Sequence, residues 1–95
     1  MGYFSNIKPD LFERLALLAE ECAETIQIIN KIFRHGYNSY HPFTEECNSD
    51  LIEEEISHVL AAIELLIKNN DINSKIIEQY KNAKLDRIKE YLHHN

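Results

Sequence analysis

Between Leu11 and Phe33 the chain repeats apolar residues at intervals of three and four: Leu11, Leu15, Leu18, Cys22, Ile26, Ile29 and Phe33. That spacing is the signature of one face of a long helix, and Leu17, Ile28 and Ile32 widen the stripe until it can face two neighbours. Only two glycines and two prolines interrupt 95 residues, and no stretch alternates as a half-buried strand would. The expected class is therefore all-α, with one domain spanning residues 1–95. A core built by so short a chain is marginal, so three main helices per chain are expected to assemble by homo-oligomerisation into a four-helix-bundle-type core.

The helix boundaries follow from local chemistry. Pro9 suits a first turn, Asp10 and Glu13 suit the positive end of the dipole, and Arg34 and His35 suit the negative end. Gly36 can adopt the left-handed conformation that stops the first helix. An irregular lead-in, Met1 to Lys8, carries Tyr3, Phe4 and Ile7 for packing on a neighbouring helix. From Gly36 to Asn48 the residues are polar and aromatic without helical period, which predicts a loop long enough to serve as a binding loop or lid. Asn48 or Ser49 can cap a second helix, whose stripe Ile52, Ile56, Val59/Leu60, Ile63 and Leu66/Ile67 runs to Lys68. The polar turn Asn69-Asn70-Asp71-Ile72-Asn73 predicts a third helix, Ser74 to Leu92, returning antiparallel to the second.

Charge and composition exclude several functions. The formal net charge of −6 opposes wrapping a nucleic acid duplex, although a locally basic helix can grip a small anion. Val59 to Ile67 is broken by Glu64 and followed by Lys68, so no membrane span is expected, and the N-terminus lacks the regions of a signal peptide. Cys22 and Cys47 have no paired-motif spacing and read as reduced thiols. A cytoplasmic protein is the expectation.

Chemistry concentrates in Glu20-Glu21-Cys22-Ala23-Glu24, where three carboxylates fit within an arc of about 100° on one helix. Such charges repel one another, and a divalent cation reverses the sign. The second helix carries Glu53-Glu54-Glu55-Ile56-Ser57-His58, in which Glu55 and His58 are neighbours at i,i+3. If the two helices pack side by side, Glu21 and Glu24 face Glu55 and His58 across the groove. Carboxylates suit Mg²⁺ or Mn²⁺, and the imidazole tilts the choice towards Mn²⁺ or a later metal. On the third helix Asn82 can read a base or bridge a phosphate, while Lys84 and Arg87 can bind phosphate as a point charge and a fork. The alternative for each group is an ordinary solvated helix face or a favourable helix-end charge.

The ordered blocks Leu18-Ala19-Glu20-Glu21-Cys22-Ala23-Glu24, Glu54-Glu55-Ile56-Ser57-His58-Val59-Leu60 and Asn82-Ala83-Lys84-Leu85-Asp86-Arg87 resemble the MazG-like branch of the all-α nucleoside triphosphate pyrophosphohydrolases. The resemblance covers roughly Leu11 to Tyr91, apart from the loop from Gly36 to Asn48. It implies a metal-dependent cleavage of a nucleoside triphosphate to monophosphate and pyrophosphate. It also implies Mg²⁺ (or Mn²⁺) on Glu21, Glu24 and Glu55, with Glu20 supporting the site or orienting water. Asn82, Lys84 and Arg87, with Lys31, would contact the nucleotide. His58 stands where the family pattern has Asp, one negative charge fewer, and the loop lengthens the interval between the two acidic motifs.

Two other readings use the same residues. One is a non-catalytic nucleotide-binding or sequestering protein. The other is a carboxylate–histidine metal bundle assembled by dimerisation, built on Glu55 and His58, which leaves Asn82, Lys84 and Arg87 without a role. A dimer and a tetramer are both compatible with the amphipathic faces.

Overall fold

The computed structural model describes residues 6–94, and these contain three helices and no strand. Tyr3 and Phe4 lie outside the described residues, and Ile7 is half-buried. Helix α1 spans Pro9–His35, α2 spans Asn48–Lys68 and α3 spans Ser74–Ile88. The first two match their expected limits. The third stops about a turn before Leu92, in a tight turn where the amides of Tyr91 and Leu92 donate to the Ile88 carbonyl.

α1 and α2 pack as an antiparallel hairpin. At one end the Asn48 side-chain amide donates to the Gly36 carbonyl at 2.9 Å, and at the other the Arg14 guanidinium holds Asp71 with two bonds of 2.6 and 3.0 Å. The face that α1 turns to its neighbour is Leu11, Arg14, Leu18, Glu21, Thr25, Ile28 and Ile32, all half-buried. Opposite it α2 presents Asn48, Ile52, Glu55, Val59, Ala62 and Leu66, five of them buried. Both sets alternate steps of three and four, the spacing of a coiled-coil seam. The seam is thus offset from the more apolar stripe read from sequence, and Leu15, Ile26, Ile29 and Phe33 remain exposed. Offsetting the seam brings Ile28 and Ile32 onto α2 and also carries two glutamates inside.

Each connection has a specific stop. Gly36 has φ 100° and ψ 157°, a region open to glycine, and its amide closes α1 on the Ile32 carbonyl. The following loop is tied by an antiparallel bridge between Tyr40 and Cys47, with the His41 amide donating to the Glu46 carbonyl at 2.9 Å. Cys47, not Asn48 or Ser49, occupies the N-cap of α2 and makes no side-chain cap bond. The Asn48 side chain is instead committed to Gly36, so it joins the two helices rather than capping one.

α2 ends in a double closure, in which the amides of Asn70 and Asp71 donate to the carbonyls of Ile67 and Leu66. Asn70 takes the left-handed conformation this motif requires, with φ 60°. Asn73 then caps α3, accepting from the amides of Lys75 and Ile76. α3 buries no residue and does not pack extensively on α1 or α2, so the expected third helix adds nothing to the core of the single chain. The buried apolar side chains among the described residues are Cys47, Ile52, Ala62 and Leu66, all on α2 or at its cap.

Candidate metal centre

Glu21 and Glu55 face each other because each occupies a seam position. Glu21 lies between Leu18 and Thr25, and Glu55 lies between Ile52 and Val59. Glu55 is 5 % exposed, and Glu21 is half-buried. One oxygen of each carboxylate, Glu21 Oε2 and Glu55 Oε2, is buried without a hydrogen-bond partner. Leaving such an atom unpaired inside a protein is costly, so two of them in one groove require explanation.

His58 closes the group one turn after Glu55. Its Nδ1 lies 3.6 Å from Glu55 Oε1 and 3.8 Å from Glu21 Oε2, while the ring remains about half exposed. These separations exceed hydrogen-bond lengths. They instead approach the edge of a coordination sphere: ligand atoms about 2.1 Å from one cation stand about 3.0 Å apart at an octahedral angle and about 3.4 Å apart at a tetrahedral one. One ligand atom from each of Glu21, Glu55 and His58 fits within a span of 4.8 Å. The donor set, two carboxylates and one imidazole, therefore suits a divalent cation once these ligand atoms draw closer together.

Electrostatics follow from this crowding. Burial, reinforced by the neighbouring carboxylates of Glu24 and Glu21, pushes the Glu55 carboxyl up to about 7. The groove thus stores repulsion that either a proton or a cation relieves. Glu24 is half-buried beside this pair and is the carboxylate through which a fourth ligand, or a proton acceptor, can be supplied.

The remaining candidate residues are distributed along the molecule. Glu20 is exposed on another side of α1, in a shallow depression with Phe12, Arg14, Leu17 and Leu65. Lys31 is half-buried in a cleft at the far end of the hairpin, with Arg34, His35 and His41. Asn82, Lys84 and Arg87 are exposed on α3, and no hydrogen bond or ion pair joins them to α1 or α2 among the described residues. A single chain consequently brings Glu21, Glu24, Glu55 and His58 together but not the basic residues of α3. The grouping of Arg34, His35 and His41 had no signal in spacing, because Arg34 and His35 read as helix-end charges and His41 lies in an aperiodic loop.

Both cysteines are free thiols, Cys22 exposed and Cys47 buried. Among the described residues no helix is long and apolar enough to cross a membrane. Comparisons with protein-family models, curated proteins and solved structures returned no match.

Proposed function

We propose that this protein is a metal-dependent nucleotide pyrophosphohydrolase, whose cation is held by Glu21, Glu55 and His58 with Glu24 beside them. The observation that carries the metal centre is that Glu21 and Glu55 each leave a buried oxygen, Oε2, without a partner, while His58 Nδ1 lies 3.8 Å from Glu21 Oε2 and 3.6 Å from Glu55 Oε1. Its extension to nucleoside triphosphates rests on the order of the acidic and basic motifs. Mg²⁺ or Mn²⁺ in that groove would screen phosphate charge and acidify a bound water. Glu24, adjacent to Glu55, would accept a proton from that water, while Glu20 would act from the outer side of the same helix.

Self-association belongs to this reading. Leu15, Ile26, Ile29 and Phe33 on α1 and Ile56 and Leu60 on α2 are exposed apolar residues on helices whose other face is already paired. A second copy covering them would build a four-helix core and give Asn82, Lys84 and Arg87 a route to a nucleotide held by the hairpin. Light scattering should report a dimer or tetramer, and Phe33→Asp, a change at a residue 78 % exposed in the single chain, should dissociate it.

Activity is tested by incubating purified protein with a panel of NTPs and dNTPs plus Mg²⁺ or Mn²⁺. Pyrophosphate release that stops in Glu24→Ala is the expected result, and a flat panel from folded oligomer refutes the enzymatic claim. Calorimetric nucleotide binding without product would favour the sequestering alternative. The imidazole in the donor set favours a further reading, a carboxylate–histidine metal bundle, for which elemental analysis would find tightly held iron.

A further inference from the structure

The cleft at the far end of the hairpin, between the last turns of α1 and the loop 37–47, has a chemistry opposite to that of the acidic groove. Its volume is about 490 Å³, and its walls include Lys31, Arg34, His35 and His41 but no carboxylate. That is unexpected in a chain with 16 acidic and 10 basic residues. Arg34 and His35 complement the dipole at the end of α1, but Lys31 lies a turn earlier and His41 is not on the helix. Among the described residues none of the four is engaged in an ion pair.

The cleft is also preformed. Asn48, 3 % exposed, fixes its base by donating from its side chain to the Gly36 carbonyl and from its backbone to the Ser39 carbonyl at 3.0 Å. The bridge between Tyr40 and Cys47 holds the loop on α2. His41 Nδ1 accepts from the amides of Phe43 and Thr44 at 3.1 and 3.3 Å, which places the ring proton on Nε2 and makes that atom a donor. A guanidinium fork, an ammonium and a fixed imidazole donor are together matched to the several terminal oxygens of a phosphate group. The Tyr40 ring, exposed beside them, offers a flat apolar surface to whatever carries the phosphate.

We infer that this cleft is a binding site for a phosphorylated small molecule, independent of the cation centre and of the activity proposed above. Lys31 and Arg34 are its charge-pairing residues, and His41 is its oriented donor. Lys31 is seven residues beyond Glu24, about 10 Å along the helix axis, so the site is filled without any ligand to Glu55.

The test is a ¹H–¹⁵N titration of the full chain, in chelator and without added metal, using adenosine monophosphate in one arm and inorganic phosphate in the other. Saturable shifts at Lys31, Arg34, Ser39 and His41 in either arm are expected. Arg34→Glu should weaken binding at least tenfold with an unchanged circular dichroism spectrum, and Glu55→Gln should leave it unaltered. If Arg34→Glu does not fold, the paired Lys31→Gln and His41→Gln variants carry the same expectation. Tighter binding of the monophosphate, reduced by Tyr40→Ala, would assign the ring its contact with the organic part, and equal binding would assign recognition to the phosphate alone. Absence of saturation at millimolar ligand, shifts centred on Glu21 and His58, or loss of binding in Glu55→Gln would each overturn the inference.

Discussion

Adding Mn²⁺ to metal-free protein should expel a proton from Glu55, and the number expelled should fall as pH rises. Burial among the carboxylates of Glu24 and Glu21 holds the Glu55 carboxyl at about 7. Metal binding requires the ionised form. Before the ion arrives, this carboxyl is mostly protonated on the acid side of neutrality and mostly ionised on the alkaline side. Calorimetry in pairs of buffers with different ionisation enthalpies reads that number directly as proton release per bound ion. Glu55→Gln should remove the share of the release that comes from this carboxyl, whereas His58→Gln should weaken affinity but retain that share. The same shift makes metal-free stability fall with rising pH. Between the ordinary carboxylate value of 4.5 and about 7, the folded chain holds a proton that the unfolded chain has lost, so folding is favoured at the acid end and that advantage disappears through neutral pH. A proton count near zero from pH 6 to pH 8, with metal bound throughout, would refute the placement of the ion on Glu55.

Three structural expectations accompany this one. Leu66 is 1 % exposed in the seam, so Leu66→Ala should cost about 2–5 kcal/mol in urea denaturation. Gly36→Ala places a Cβ 3.0 Å from Ser39 Oγ in a backbone conformation that alanine rarely adopts; about 1–3 kcal/mol should be lost on the same scale. Asn73→Ala removes the cap of α3 at a local cost of about 1 kcal/mol. Because α3 buries nothing, circular dichroism should show lost helix content with little change in the denaturation midpoint of the hairpin.

The limits of α1 and α2 were legible because Pro9, Gly36 and Lys68 mark them by local rules, and local rules act before any packing. Which face of α1 would meet α2 was less so. The apolar stripe through Leu15, Ile26 and Ile29 is the stronger hydrophobic pattern, yet the face chosen includes Arg14, Glu21 and Thr25. Arg14 is acceptable there because Asp71, beyond the end of α2, supplies two charge-assisted bonds, a long-range pairing that periodicity cannot display. Glu21, Glu24, Glu55 and His58 could be grouped from spacing because each lies within a turn of another on its own helix, and the hairpin then brings the two pairs together. The cationic cleft was not legible, since Lys31 and His41 meet only through a loop whose path depends on Asn48 and Gly36.

The seam also predicts a trade between stability and binding. A short hairpin with few buried apolar side chains gains from every residue that packs across its seam, yet Glu21 and Glu55 occupy two of those positions with charges that repel and oxygens that find no donor. Replacing one glutamate leaves the other buried beside Glu24, whereas replacing both removes the conflict between the two helices. Glu21→Leu/Glu55→Leu should therefore unfold at higher urea than the parent without metal, and its midpoint should lose the pH dependence described above. It should also take up no Mn²⁺, because two of the three ligand groups are gone. A double variant that is less stable than the metal-free parent would show that these carboxylates support the hairpin by themselves, and would remove the physical reason for placing a cation between them.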